Sequence, residues 1–118
     1  MHKFKELKVW QEGMELAKMV YQASRSFPAE ERYNLTSQIN RAAVSVPSNI
    51  AEGADRNSNK EFAQFLNVSL GSSFEIETQM LLAIGFGYVE EESAKALFEQ
   101  LDKTQRMINS FRTKLLNN

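Results

Sequence analysis

Few residues in this 118-residue chain could do chemistry, and what is absent excludes most of it. There is no Cys, so neither a disulfide framework nor a thiolate metal site can form. The single His, His2, lies at the terminus, where chains ordinarily fray. A zinc or haem site, a Ser-His-Asp triad and the Glu-x-x-His pairs of di-iron bundles therefore lack their central residue. Glu75 and Glu77 stand two apart, and residues two apart on a helix face different directions, so they cannot act as an acid/base pair. Ser45, Ser48, Ser69, Ser72 and Ser73 have no histidine to activate them. Gly71 and Gly85 sit in helical context, without the Gly-x-x-x-x-Gly-Lys arrangement of a phosphate loop. Trp10, Tyr21 and Phe65 read as core or interface anchors rather than as platforms for stacked bases. No catalytic, metal or cofactor residue is expected.

Arg41 and Asn49 are the polar residues that leave two readings open. In the first, Asn49 caps backbone freed near Pro47, and Arg41 is solvated or paired with Glu52. In the second, Arg41, Arg56 and Lys60 contact phosphates of RNA or DNA around the end of the second helix and the loop that follows. Net charge is −1, from 14 basic and 15 acidic side chains, so no global field draws the chain to nucleic acid. The distribution is uneven: residues 61–90 carry Glu61, Glu75, Glu77 and Glu90 and no Lys or Arg. The opening MHKFKELKVW has charges where a secretory signal needs an apolar core. The longest apolar run, Met80 to Val89, is too short to span a bilayer. A soluble, cytoplasmic protein without a membrane partner is expected.

The elements that must position these residues read as four helices in a single domain over residues 1–118. The first, 7–26, repeats Leu7, Trp10, Met14, Ala17, Tyr21 and Ser24 on one face. Phe27-Pro28 ends it, and Pro28 to Arg32 suits a short helical piece. Asn34 or Thr36 can cap the second helix, about 36–54. Its core stripe is Ile39, Ala42, Ala43, Val46 and Ile50; a polar stripe holds Gln38, Arg41, Ser45, Asn49 and Glu52. Pro47 removes a backbone donor and crowds the Ala43 carbonyl, which predicts a kink near 43–47, with Ser45 or Ser48 meeting the freed groups. Gly53 is placed as a C-terminal signal.

Ser58-Asn59-Lys60-Glu61 has capping-box spacing and opens the third helix. Gly71-Ser72-Ser73 in mid-helix points to close packing. Leu70, Phe74, Leu81 and Leu82 lie off the main apolar stripe, so this helix needs a second partner, and Leu70, Phe74 and Leu81 are the candidate oligomer interface. Gly85 and Gly87 bring it to an end near Tyr88. The fourth helix, about 91–116, carries a heptad seam of Leu97, Leu101, Thr104, Ile108, Phe111 and Leu115, with Glu91 and Glu92 in its first turn. Short connections predict an all-α, antiparallel up-down four-helix bundle.

One ordered series is more specific. Phe4-Lys5-Glu6-Leu7-x-Val9-Trp10-Gln11 is followed by Phe27-Pro28-x-Glu30 and by Leu35-Thr36-x-Gln38. Arg41 to Gly53 then reads RAAVSVPSNIAEG, and Phe65-Leu66, Gly71-Ser72, Glu75-x-Glu77-Thr78-Gln79 and Gly87-Tyr88 complete the series. From residue 4 to about 90 it closely resembles the bacterial four-helix bundle proteins encoded within 23S ribosomal RNA intervening sequences. Arg41, Pro47, Asn49, Glu52 and Gly53 are its motif residues. The resemblance implies a bundle assembling as a ring-like homopentamer. The family is similar to the accessory protein of diversity-generating retroelements, a basic pentamer that works with a reverse transcriptase and nucleic acid; this chain differs from it in its slightly negative charge. The resulting expectation is a non-enzymatic self-assembling bundle, with an RNA- or DNA-binding accessory protein as the alternative.

Overall fold

The computed structural model describes residues 2–117. Four helices, α1 (Lys8–Ser24), α2 (Leu35–Ala54), α3 (Asn59–Gly85) and α4 (Lys95–Leu116), are joined through single 3-10 turns or short loops. No strand occurs among the described residues. Each helix packs on its neighbours in the sequence, and α4 closes on α1, so the four form a ring around one core. The 27-residue α3 is about 40 Å long at 1.5 Å per residue and sets the 45 Å long axis.

The core holds Leu16 and Val20 of α1, Ile39, Val46 and Ile50 of α2, Phe62, Leu66, Ile76 and Met80 of α3, and Leu101 and Ile108 of α4, all essentially inaccessible. On α2 the expected apolar stripe is the buried one, and on α4 the expected seam is buried except at Phe111, which is half-buried. On α1 the buried face is instead Val9, Gly13, Leu16, Val20 and Ser24. The expected face is rotated outward: Trp10, Met14 and Ala17 are half-buried and Tyr21 is exposed. The reason is Gly13. A Cβ there would lie 3.3 Å from Val46 Cγ1, so the slim side of α1 lets α2 come close, whereas the Trp10–Tyr21 side would hold it away.

The termini follow local chemistry. Ser58 Oγ accepts from the Glu61 amide at 3.1 Å and caps α3. At the start of α2, neither Asn34 nor Thr36 caps through its side chain; the Leu35 amide donates to Glu31 Oε1 at 3.2 Å. α3 ends in a reciprocal pair of turn bonds, Tyr88 N–H to Ala83 C=O and Gly87 N–H to Ile84 C=O, with Gly87 at φ 82°. Tyr88 then donates to Glu31 Oε2 at 2.7 Å, tying this end to the α1–α2 connection, and that acceptor raises the phenol's pKa. Glu91 and Glu92 precede α4 rather than lie in its first turn, because a 3-10 turn, Glu92–Ala94, intervenes. His2 is held at the terminus: its amide donates to Ala54 C=O at 2.9 Å and its ring meets Phe62 and Phe111 edge-on.

Two glycines change role. Gly53 lies inside α2, buried, and is a packing residue: a Cβ would fall 2.6 Å from Phe62 Cδ1 and 2.8 Å from Phe65 Cβ. Gly71, expected to serve close packing, is exposed, with open space where a Cβ would stand. Overpacking therefore makes Gly53→Ala destabilising by about 1–3 kcal/mol, and Gly71→Ala leaves the folded chain unchanged or steadies it by up to about 1 kcal/mol. Urea unfolding of the two variants side by side measures both signs.

Between α1 and α4, Glu12 accepts from Gln100 Nε2 at 2.8 Å and pairs with Lys103 at 3.2 Å. The Gln100 hydrogen bond, then Lys103 and Lys8, hold its carboxyl below the ordinary value against the opposing effect of burial. A depressed carboxylate adds stability that is present above the unfolded pKa and is lost as pH falls through the folded one. Glu12→Gln should flatten that part of the decline in unfolding midpoint between neutral and acid pH.

Candidate functional site: the polar seam of α2 and α3

Part of the specific motif, Arg41, Ser45 and Asn49, lies along the line where α2 meets α3, whereas Pro47 faces α1 and Glu52 is exposed. Gln38, Arg41, Ser45 and Asn49 recur at three- and four-residue steps on α2, and Ser69, Ser72, Glu75 and Gln79 do so on α3. Ser45 Oγ and Ser72 Oγ are 2.7 Å apart. Asn49 Nδ2 donates to Ser45 C=O at 2.8 Å and to Ser45 Oγ at 2.9 Å. Buried Ser69 donates to the Val46 carbonyl at 2.8 Å, one residue before Pro47. Asn49 thus bonds backbone in the turn that holds Pro47. Ser45 Oγ meets Ser72 and Asn49, and among the described residues neither Ser45 nor Ser48 bonds the Ala43 carbonyl that lacks the Pro47 N–H.

Toward one end the seam opens into a small hollow of about 290 Å³ lined by Gln38, Arg41, Ser45, Ser72, Glu75 and Gln79. Gln79 Nε2 reaches Gln38 Oε1 at 3.4 Å, while Gln79 Oε1 is enclosed without a partner. The set offers hydrogen bonds and one charge of each sign. Glu77 points the other way, accepting from Gln105 Nε2 of α4 at 3.0 Å, so the two glutamates occupy different faces as their spacing requires.

The three basic residues proposed as one phosphate cluster do not come together. Arg41 is fifteen positions before Arg56, about 22 Å along a helix axis. Arg56 lies over the Phe65 ring, 4.6 Å from its centroid, and Lys60 is exposed in the first turn of α3. Arg41 instead shares a hollow of about 490 Å³ with Arg32, Tyr33, Tyr21 and Asn40, and no carboxylate lines it. Tyr33 is 83% exposed and lies beside the Arg32 guanidinium. Arg32 closes the short helical piece expected over Pro28 to Arg32, and Tyr33 follows it; that Tyr21 faces them depends on the rotation of α1. Glu52 is exposed, and no Arg41–Glu52 ion pair is present among the described residues.

Of the candidate interface residues, Phe74 and Leu81 are exposed at 50% and 56%, whereas Leu70 is buried in the core. Leu70 belongs to the core cluster and gives little surface to another copy.

A model of the 23S rRNA-intervening sequence proteins matches residues 5–110. The chain belongs to that family. Its fold is similar to a crystal structure of a protein of unknown function from the S23 ribosomal protein family of Bacteroides thetaiotaomicron. That similarity has a TM-score of 0.81 at 22% identity and covers 88% of this chain and 97% of the other. No curated protein matches the chain. Among the described residues no helix is long and apolar enough to cross a membrane, and no cluster of three or more His, Asp or Glu could hold a metal ion. The family match spans the whole polar seam, from Gln38 to Gln79.

The hydroxyl pair gives the seam's measurable contribution. Ser72→Ala removes one hydroxyl from a half-buried network, and the loss of stability should be about 1 kcal/mol by chemical unfolding. Arg41→Ala, at an exposed position, should leave the unfolding midpoint within about 0.5 kcal/mol of the parent.

Proposed function

We propose that this chain is a non-enzymatic, self-assembling four-helix bundle, a single domain of antiparallel up-down topology that works in the cytoplasm as a homopentamer. The observation that carries this is the outer face of α3. Val68, Phe74, Leu81 and Leu82 are each 46–56% exposed there, in a segment without Lys or Arg. Gly71 and Gly85 lie on the same face with nothing near their missing side chains. Helical glycine costs about 1 kcal/mol relative to Ala, and the fold of one chain does not require it at these positions. Exposed apolar surface on one face marks an interaction site. The short α2–α3 connection and the packing of successive helices favour the up-down arrangement. The missing Pro47 donor within the continuous α2 favours a bend there. Light scattering after size exclusion should give about five times the 13.5 kDa chain mass. Phe74→Glu with Leu81→Glu should yield monomers of unchanged helicity. A parent chain that is monomeric at every concentration overturns the proposal.

A second reading, binding of RNA or DNA, is favoured by the Arg32, Arg41, Tyr21 and Tyr33 hollow and draws also on Arg56 and Lys60. Aromatic faces with arginines and no carboxylate suit stacked bases and phosphates, and ring symmetry would repeat the patch. Anisotropy of labelled oligonucleotides across a salt series decides it. Each neutralised phosphate contributes roughly −0.9 to the log–log slope for duplex DNA, and Arg41→Ala should reduce that slope. A weak, flat response removes this reading.

A further inference from the structure

We infer that copies of this chain join head to tail, the α3/α4 side of one copy seating in the α1/α2 groove of the next. The inference rests on the self-assembly proposed above and names its two surfaces. The groove between α1 and α2 encloses about 880 Å³ and is lined by Trp10, Met14, Ala17, Tyr21, Val44 and Pro47. Tyr21 and Val44 are 47% and 45% exposed, so this is the apolar stripe that the rotation of α1 leaves outside the core. Its charged rim is Lys18 and Arg25 against Glu15, and the adjoining hollow adds Arg32 and Arg41.

The other side has the same apolar character and the opposite charge. A depression of about 930 Å³ between α3 and α4 has Leu81, Ile84 and Phe98 as its apolar part. Its rim is Glu77, Glu91, Glu92 and Glu99 against Lys95, with Asp102 already paired to Arg106. Because α1 and α3 each pack between α2 and α4, these two sides lie across the bundle from one another. Pairing either side with its own copy would set like charges together, which disfavours association. Pairing one with the other matches apolar with apolar and acid with base. Such a contact is heterologous, the kind that closes into rings of more than two members when the rotation allows.

The absence of Cys makes the test direct, since any introduced thiol is unique. Leu81→Cys and Ala17→Cys chains, each alone and mixed, are treated with a short bismaleimide. A second pair at exposed positions, Glu99→Cys with Ser48→Cys, guards against a variant that fails to fold. The expected result is a two-chain adduct in the mixtures, at least tenfold above either variant alone. Equal cross-linking of Leu81→Cys with itself overturns the head-to-tail contact, as does an assembled parent protein whose mixtures give no adduct under either pair. In both cases self-assembly by light scattering stands. A parent that is monomeric by light scattering overturns both the assembly and this inference.

Discussion

The close approach of α2 to α3 is the constraint on which the rest of the bundle depends. Interhelical distance is set by the side chains at the contact, and here they are small. Gly53 presses against Phe62 and Phe65, and Ser45 meets Ser72 through a 2.7 Å hydroxyl contact. With the two backbones this near, Ser69 can bond the carbonyl beside Pro47, and the polar groups that small residues bring into the seam find partners. A larger residue on either helix would part them, and the apolar residues on both flanks would lose their packing together.

That approach also decides what the other helices can do. Gly13 continues the same logic on the far side of α2, where a Cβ would press on Val46. α2 is thus held between two slim faces, and its flanking helices must rotate to present them. For α1 the rotation brings Leu16 and Val20 into the core and leaves Trp10, Met14 and Tyr21 at or near the surface. Large aromatic side chains would ordinarily be core residues; here the backbone geometry leaves them beside a groove.

Helix number, order and most ends were legible in the sequence, because periodicity and caps are local properties: the Ser58 cap, the α4 seam and the Gly87 turn all depend on neighbours within a few residues. The α1 face was not legible. Its two candidate stripes differ by about one position, and only the tertiary approach at Gly13 distinguishes them. The polar stripe of α2 was readable as a pattern, but its partners Ser69 and Ser72 come from α3 and required the fold. The supposed cluster of Arg41, Arg56 and Lys60 shows the converse error, since nearness in sequence around a helix end became a separation along the axis. Arg32 and Tyr33 join Arg41 through a turn that the helical patterns only bounded.

The division between core and surface carries the argument to its last step. A chain of this size that needed only to fold could place Ala at the exposed Gly71 and Gly85 and polar residues at Val68, Phe74 and Leu81, with more helical stability and less aggregation risk. The bundle core is already complete without them: Phe62, Leu66, Ile76 and Met80 of the same helix are fully buried. Two slim, exposed helical positions beside large apolar ones reproduce, on the outside, the chemistry that joins α2 to α3 on the inside, with room for another backbone and side chains to fill it. The outer face of α3 has the composition of a packed seam and, in one chain, no helix to pack against.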